Sequence, residues 1–365
     1  MRQCDGTEEQ RQEDLSMMQR ALLCARKGLG TTSPNPPVGA LVVREGRILG
    51  EGWHEKAGEA HAERRALADA RARGFGDRLR GATLYVTLEP CSSYGRTPPC
   101  TEAILEAGIA RVVYGAVDPD ERHRGRADAL LRAAGVEVCA GLAQEPCEAL
   151  LRPWMQALRR SRPWVVAKMA CTLDGSLARP HSRYVSCPES QREVHELRLH
   201  SDAILVGGQT LRSDNPSLTI RCPISPVPAV KQQPWRVVLT RNRASLPASA
   251  RVFTDAHAAR TLVYEQVDDL AALLHELYRE RGVVQLMLEC GGALLRRFLE
   301  ARLVDEWVQV VAPVLAGDGL PLVPGGFLPE EVRVQITRHE SCGCDRIVGG
   351  LLQYGGENQA EKFMK

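Results

Sequence analysis

Side chains suited to holding a transition metal lie between His61 and Cys100. Glu63 follows His61 by two residues, and the thiols of Cys91 and Cys100 come after a gap. One imidazole and two thiolates can hold a zinc ion and leave its fourth position to water, which is the arrangement of a catalytic zinc. Glu63 would lie beside the metal without binding it, and could move a proton between that water and a leaving group.

The spacing of these residues leaves two interpretations open. The order His-x-Glu, Pro-Cys, Cys is typical of zinc enzymes that deaminate nucleobases, in which the thiols are commonly spaced C-x-x-C. Here eight residues separate Cys91 from Cys100, so two structural cysteines near a helix-start histidine would be the alternative. Pro90, the turn at 97–99 and the position of Glu63 favour a catalytic metal.

Alternating strands and helices are predicted around these residues. Residues 61–73 have helical composition, which places the histidine and the glutamate in a first turn. The apolar strand 82–88 would deliver Cys91 to a loop just past its C-terminal end, and two prolines would open a helix at Cys100. The pattern predicts an α/β layered domain with its site at the strand ends. Further strands are predicted at 38–43, 48–53, 111–117 and 136–140, and further helices at 15–25, 101–107, 124–134 and 145–158.

A second α/β domain is predicted after the basic segment 159–163. We place the domains at 1–160 and 163–356. After the strand 284–288, Gly291 and Gly292 open a helix, and backbone amides at a helix start bind phosphate well. No full G-x-G-x-x-G fingerprint accompanies them, so a Rossmann domain is not predicted. The other elements predicted in this half are strands at 164–170, 203–207 and 235–240 and helices at 189–200, 270–281 and 293–299.

Composition restricts the function classes. A chain of 365 residues with 25% charged residues and a net charge of +2 is ordinary for a globular enzyme, with no strong charge to attract nucleic acid or a membrane surface. Residues 1–14 are polar and acidic and the chain has no run of about eighteen apolar residues, so neither a signal peptide nor a membrane span is expected. The twelve cysteines follow no regular framework, so free thiols in the cytoplasm are expected. Cys342 and Cys344 would need further ligands to bind a metal, and the sequence supplies no second pair nearby.

Taken in order, the motifs of both halves resemble the bifunctional deaminase-reductases of riboflavin biosynthesis, over about residues 13–350. The motifs of the first half include Ser33-Pro34-Asn35-Pro36-Pro37, Gly50-Glu51-Gly52-Trp53-His54, His61-Ala62-Glu63 and Glu89-Pro90-Cys91. Those of the second half include Thr172-Leu173-Asp174-Gly175, Asp214-Asn215-Pro216-Ser217-Leu218-Thr219 and Glu289-Cys290-Gly291-Gly292.

For the first half, this resemblance implies a cytidine-deaminase-like three-layer αβα domain. Such a domain removes an exocyclic amine from diaminohydroxyphosphoribosylaminopyrimidine by zinc-dependent hydrolysis. The resemblance makes His61, Cys91 and Cys100 the zinc ligands and Glu63 the catalytic proton carrier. The residues implied to hold the substrate are Asn35, His54 and Arg96.

For the second half, the resemblance implies a dihydrofolate-reductase-like α/β domain. It would use NADPH to reduce the ribosyl group of 5-amino-6-(5-phosphoribosylamino)uracil to ribityl, and such enzymes pair into dimers or tetramers through this domain. The implied cofactor contacts are Ala170, Tyr184, Thr210, Asp214, Gly291, Gly292, Ala293, Leu294, Leu295, Arg296 and Arg297. The implied substrate contacts are Ser182, Arg198, Leu218, Arg221 and Glu289, of which the two arginines suit a phosphate.

Several departures from the family pattern keep alternatives open. Ser93 stands where many members have His, Asp120 where an Asn is usual, and Tyr184 where Trp is common. A paralogue in secondary metabolism that deaminates a related phosphoribosyl-pyrimidine is one alternative. A deaminase with an inactive reductase-like domain is another. A third alternative, a purely structural zinc, is disfavoured because such a site has no need of Glu63.

Overall fold

The computed structural model describes residues 7–94, 98–121, 123–179, 181–182, 184–317 and 319–355. Between Arg160 and Ser161 the chain divides into two compact units. We call them the first unit and the second unit and describe each by itself.

A five-stranded sheet forms the centre of the first unit, in the order β2-β1-β3-β4-β5. Strand β1 is antiparallel to both of its neighbours, whereas β3, β4 and β5 run parallel. The strands are β1 (Gly39–Arg44), β2 (Arg47–Trp53), β3 (Thr83–Leu88), β4 (Arg111–Ala116) and β5 (Glu137–Ala140). The helices are α1 (Glu8–Arg26), α2 (Ala62–Ala72), α3 (Cys100–Glu106), α4 (Arg126–Ala133) and α5 (Gln144–Arg160).

Helices α1 and α2 cover opposite faces of this sheet, and two glycines permit their close approach. A Cβ on Gly39 would lie 2.2 Å from the carbonyl oxygen of Ala21 in α1, and one on Gly52 would lie 2.4 Å from the backbone nitrogen of Ala66 in α2. Gly39 pairs with Trp53, the residue after Gly52, and successive strand residues point to opposite faces. The predicted three-layer arrangement follows.

A buried ion pair joins α1 to the sheet. Asp14 is 1% exposed, and its carboxylate accepts hydrogen bonds from Arg111 Nη1 at 2.8 Å and Nη2 at 2.7 Å. The hydroxyl of Tyr85 donates a third bond at 2.6 Å. Burial opposes the charge on Asp14, but Arg111 and Tyr85 outweigh it and lower the pKa of that carboxyl. Three elements far apart in sequence are thereby held together.

In the second unit, an eight-stranded sheet has the order β12-β13-β11-β6-β10-β7-β8-β9. The strands from β11 to β9 in this order are parallel, and β13 and β12 add to one edge in antiparallel fashion. The strands are β6 (Trp164–Thr172), β7 (Ala203–Gly207), β8 (Trp235–Thr240), β9 (Thr261–Glu265), β10 (Gln285–Leu288), β11 (Glu306–Ala312), β12 (Val332–Cys342) and β13 (Asp345–Tyr354). The helices are α6 (Pro188–His200), α7 (Gly208–Asp214), α8 (Arg251–Thr254), α9 (Leu270–Arg281) and α10 (Gly292–Glu300).

The sequence did not indicate every element of the second unit. Strands β7 and β8 and helix α9 have the predicted bounds, and β6 and β10 differ from prediction by two residues or one at a single end. Strands β9, β11, β12 and β13 and helices α7 and α8 were not predicted. Every residue of β12 is exposed or half-buried, and the strand lacks the apolar run that marks a central strand.

Two further expectations concern membranes and thiols. Among the described residues, no helix combines the length and apolar character needed to cross a bilayer. Ten described cysteines are free, as expected. Cys139 is disulfide-bonded instead, so the expectation of free thiols throughout was wrong at that position.

We predict that Asp14→Asn lowers the free energy of unfolding by about 3 kcal/mol, because it removes one partner of a buried ion pair. The folded-state pKa of Asp14 is lowered, so its contribution is present above the ordinary value of 3.8 and is lost as the pH falls through the folded value. Denaturant titration at neutral and acidic pH measures both effects.

Glu137→Gln is the matched control, because Glu137 pairs with the same Arg111 but is 63% exposed. Exposed pairs contribute at most about 1 kcal/mol. Equal losses of stability in the two variants would show that burial of Asp14 does not set its importance.

Candidate functional site

The end of β3 and the beginnings of two helices bring the predicted metal ligands together. His61 is the N-cap residue of α2, and Cys100 is the first residue of α3. Cys91 lies three residues beyond the end of β3, and its carbonyl oxygen accepts a hydrogen bond from the backbone nitrogen of Thr101 at 3.2 Å. The buried strand and the two helix starts therefore fix the positions of all three side chains.

The distances between the ligand atoms fit a tetrahedral zinc. His61 Nδ1 lies 3.5 Å from Cys91 Sγ and 3.4 Å from Cys100 Sγ. Zinc bonds of about 2.3 Å to sulfur and 2.0–2.1 Å to nitrogen, at tetrahedral angles, would separate N from S by about 3.5 Å. The three ligand atoms all lie within 4.8 Å of one another. The site can thus accept the metal without rearrangement.

The carboxylate of Glu63 lies in the same cavity as these ligands. Glu63 is 3% exposed and belongs to the first turn of α2. Burial raises the pKa of its carboxyl. The cavity has a volume of about 250 Å³ and is lined by residues of the first unit. Its lining includes Asn35, His54, His61, Glu63, Glu89, Cys91, Asp118, Asp120, His123 and Trp154.

Asn35 and His54, the predicted substrate contacts, lie side by side in this cavity. Asn35 Nδ2 is 3.0 Å from His54 Nε2, and His54 Nδ1 is 3.2 Å from the carbonyl oxygen of Ala60. An amide nitrogen donates and a carbonyl accepts, so the ring carries its proton on Nδ1 and is neutral. Burial lowers the pKa of His54, in agreement with that state. Arg96, the third predicted contact, lies outside the described residues.

Glu89 is a residue of this cavity to which the sequence assigned no role. Its side chain is buried and accepts hydrogen bonds from the backbone nitrogens of Asp118 at 3.3 Å, Gly125 at 3.1 Å and Ala127 at 3.3 Å. Glu89 therefore shapes the loop between β4 and α4, which forms one wall of the cavity. Its place directly before Pro90-Cys91 is the sequence signal that could have found it.

Ser93, which departs from the family pattern, lies next to a histidine that is distant in sequence. Ser93 Oγ is 3.1 Å from Nδ1 of His123, which lines the cavity together with Asp120. An imidazole from the loop after β4 therefore lies beside position 93, where many family members carry their own histidine. Sequence reasoning missed His123 because thirty residues separate it from Ser93.

A buried ion pair organises the predicted substrate residues of the second unit. Arg198 on α6 donates from Nε at 2.8 Å and from Nη2 at 2.7 Å to the carboxylate of Glu289, just past β10. Its Nη1 donates to the carbonyl oxygen of Thr219 at 3.1 Å. Burial opposes the charge on Glu289, but Arg198 and Lys168 outweigh it and hold its pKa at about 2. Arg198 thus orients Glu289, and exposed Arg221 is the better placed of the two arginines for a phosphate.

Lys168 is a second functional candidate that the sequence did not reveal. It lies on β6, next to β10 in the sheet, within electrostatic reach of Glu289 and Arg198. Burial lowers its pKa below the usual 10.5, although Glu289 opposes this. Within the described part of the chain its ammonium group has no hydrogen-bond partner. A single lysine within an apolar strand was the available signal.

Two strand-to-helix turns lie side by side where a dinucleotide phosphate would fit. Strand β7 leads through Gly207 into α7, and its neighbour β10 leads through Gly291 into α10. No side chain caps either helix start, so backbone N–H groups are left for an anion. A Cβ on Gly291 would meet no atom within 4 Å. The residues present fit a phosphate-bearing cofactor.

The other predicted contact residues of the second unit differ in their position and in the exposure of their side chains. Thr210 lies in the first turn of α7, Asp214 is the last residue of that helix, and Ala170 lies on β6. Ser182 and Tyr184 lie on the exposed segment before α6, where the serine hydroxyl donates to the tyrosine carbonyl at 2.8 Å. Leu218 is 1% exposed, so only its backbone is left for a ligand.

Within Gly291–Arg297, only the beginning is open to a cofactor. Leu295 is fully buried in the core. Arg296 donates to the carbonyl oxygens of Pro324 at 2.9 Å and Phe327 at 2.9 Å, and Arg297 donates to that of Val267 at 2.7 Å. These three side chains serve packing within the unit, and the backbone nitrogen of Leu294 already donates to the carbonyl oxygen of Gly291 at 3.1 Å, which leaves the backbone N–H groups at residues 291–293 for binding.

Comparisons with known proteins place this geometry in a family. Residues 11–116 match the cytidine and deoxycytidylate deaminase zinc-binding region, and residues 163–348 match the RibD C-terminal domain. The riboflavin biosynthesis protein RibD of Aquifex aeolicus is 37% identical over 360 residues, covering 93% of this chain and 98% of that protein. The chain belongs to the RibD family. RibD of Escherichia coli is 36% identical, covering 86% of this chain and 92% of its own.

Solved RibD structures match both units. RibD of Acinetobacter baumannii superposes with a TM-score of 0.85 at 30% identity and covers 94% of this chain and 99% of that chain. The diaminohydroxyphosphoribosylaminopyrimidine deaminase/5-amino-6-(5-phosphoribosylamino)uracil reductase of Thermotoga maritima gives a TM-score of 0.83 at 32% identity, with 94% and 99% covered.

Membership of the RibD family confirms the expected fold and activity. The first unit is a deaminase-like domain with a zinc-binding region, and the second is a RibD reductase domain. The protein is a bifunctional deaminase and reductase of riboflavin biosynthesis, a hydrolase and an oxidoreductase that uses zinc and NADPH.

Proposed function

We propose that the first unit deaminates diaminohydroxyphosphoribosylaminopyrimidine, with zinc held by His61, Cys91 and Cys100. The two nitrogen-to-sulfur distances, 3.4 and 3.5 Å, carry this proposal. A bound zinc ion makes a water molecule acidic enough to serve as a nucleophile at neutral pH. With only three protein ligands, the site leaves a position for that water beside Glu63.

The protein's own residues then supply the proton transfers. Glu63 accepts a proton from the attacking water and delivers it to the exocyclic amine, which leaves as ammonia while the ring carbon keeps the oxygen. Neutral His54, bonded to Asn35, presents a fixed polar edge to the pyrimidine. Glu89 holds the loop that carries Asp118 and Asp120 against the cavity.

We propose that the second unit binds NADPH at the two helix starts and the phosphoribosyl substrate beside Glu289. NADPH supplies a hydride for C1′ of the ribosyl group. The bond from C1′ to the ring oxygen breaks, and that oxygen needs a proton. Lys168 has a lowered pKa and lies near Glu289, so it is the candidate donor.

The secondary-metabolism alternative has one observation in its favour. Asp118, Asp120 and His123 line the cavity together, and burial raises the pKa of Asp118. An aspartate replaces the usual amide at position 120, and a carboxylate accepts a hydrogen bond from a donor group on the substrate. Higher activity of Asp120→Asn on the riboflavin intermediate would support this alternative.

Glu63→Gln should keep zinc and lose deamination, by a factor of about 10² to 10⁴. The amide fills the same space but cannot carry the proton. Mass spectrometry of the pyrimidine product without NADPH measures the loss, and metal analysis confirms that zinc is retained. Glu106→Gln, at the exposed end of α3, is the control and should keep full activity. Unchanged deamination in Glu63→Gln would refute the proposed proton carrier.

Lys168→Met should lower the rate of reduction about 100-fold or more while deamination is unchanged. Lys168→Arg keeps the charge but cannot release a proton at neutral pH. It should therefore bind substrate better than Lys168→Met, while its rate of reduction stays low. In the wild type, reduction should fall as the pH rises through the lowered pKa of Lys168, below 10.5. A rate as high in Lys168→Arg as in the wild type would limit Lys168 to an electrostatic role.

We also propose a homo-oligomer that pairs through the second unit. The exposed apolar side chains of Leu315, Leu320 and Phe327 support this proposal. Light scattering should give a mass at a multiple of 40.1 kDa, and a monomer at micromolar concentration would contradict it. A cytoplasmic location also stays a prediction, supported by the ten free thiols and tested by fractionation of cells.

A further inference from the structure

A second cluster of potential metal ligands lies in the second unit, outside the sites described above. Cys187 is the N-cap residue of α6, Cys344 lies in the turn between β12 and β13, and Asp345 begins β13. The two sulfurs and a carboxylate oxygen of Asp345 lie within 4.8 Å of one another. The chain thus brings together two thiols 157 residues apart in sequence and an acid.

The carboxylate of Asp345 is already directed at both thiol residues. It accepts a hydrogen bond from the backbone nitrogen of Cys187 at 2.8 Å and lies 3.6 Å from Cys344 Sγ. Asp345 is 1% exposed, and no Lys or Arg of the described residues forms an ion pair with it. A buried carboxylate without a cationic partner is costly unless a cation or several hydrogen bonds offset its charge.

The turn leaves room beside the sulfur of Cys187. Gly343 has a φ of +57°, and a Cβ there would lie 2.8 Å from Cys187 Sγ and 2.7 Å from Glu189 Oε2. Glycine at this position therefore keeps the thiol and a second carboxylate close to the turn. Glu189 is exposed and can approach the cluster from solvent.

We propose that Cys187, Cys344 and Asp345 form a second zinc site, with Glu189 or water as the fourth ligand. Two thiolates and a carboxylate are a ligand set that zinc accepts, whereas magnesium and calcium prefer oxygen alone. Binding would release the thiol protons and offset the charge of Asp345. This site is independent of the deaminase zinc and of the proposed roles of Glu63 and Lys168.

The position of the cluster suggests its effect on the second unit. Zinc bound by this cluster would link the beginning of α6 to the β12–β13 turn. The same helix carries His195 and Arg198, and Arg198 orients Glu289. The exposed segment with Ser182 and Tyr184 ends at Cys187. Occupancy would therefore stabilise the substrate side of the reductase unit without touching the reacting atoms.

Zinc content of the full chain tests the proposal directly. The protein is dialysed against micromolar zinc with a phosphine reductant and analysed by mass spectrometry for metal. We expect two zinc ions per chain in the wild type and one each in Cys344→Ser and Cys187→Ser. Cys91→Ser should also hold one, because it loses the deaminase zinc only. In Cys344→Ser, zinc should no longer raise the unfolding temperature of the second unit, and deamination should be unchanged.

Cys342→Ser is the matched control. Cys342 is the last residue of β12, two residues before Cys344, and does not belong to the ligand cluster. That variant should keep two zinc ions. Cobalt substitution adds a spectroscopic readout, since the thiolate charge-transfer band should fall in Cys344→Ser and persist in Cys342→Ser.

Two results would overturn the proposal. One is equal zinc content in the wild type, Cys344→Ser and Cys187→Ser. The other is a wild-type chain that is metal-free at these residues and in which peptide mapping under reductant finds Cys187 and Cys344 joined by a disulfide.

Discussion

The deaminase unit depends on how close two helices can come to its central sheet. Helix α2 lies against Gly52 so tightly that no side chain fits between them, and α3 begins beside the loop that follows β3. This approach brings an imidazole and two thiols to metal-binding distance. Both helices begin at predicted metal ligands, α2 at His61 and α3 at Cys100. Their N–H groups and the positive ends of their dipoles therefore favour thiolates at the site. Loss of the close packing would separate the ligands even if each residue were kept.

In the reductase unit, charged side chains rather than metal ligands position the functional groups. Glu289 follows β10 and stays ionised because Arg198 and Lys168 surround it. Burial lowers the pKa of Lys168 below its usual value, and the negative charge of Glu289 opposes that shift. In both units a buried parallel strand ends just before a functional residue, Cys91 after β3 and Glu289 after β10, where backbone groups leave the sheet and are free to bind.

The sequence predicted the residues that local motifs reveal and missed those that tertiary contacts create. His61, Glu63, Cys91 and Cys100 could be selected because their spacing has a chemical meaning. Edge strand β12 has no apolar run to indicate it. Folding brings His123 next to Ser93 and Cys344 next to Cys187, although both pairs are distant in sequence. Arg198 was predicted to bind a phosphate of the substrate. No sequence pattern could show that its guanidinium donates hydrogen bonds to the carboxylate of Glu289 instead.

We propose that the deaminase zinc has three protein ligands and an open position beside Glu63. Anomalous diffraction at the zinc edge from crystals of the full chain tests it most directly, because it separates one metal site from another. We predict a peak bonded to His61 Nδ1, Cys91 Sγ and Cys100 Sγ, with one oxygen that no residue supplies lying within hydrogen-bond reach of Glu63. A peak with Glu63 or any other side chain as the fourth ligand would contradict the account.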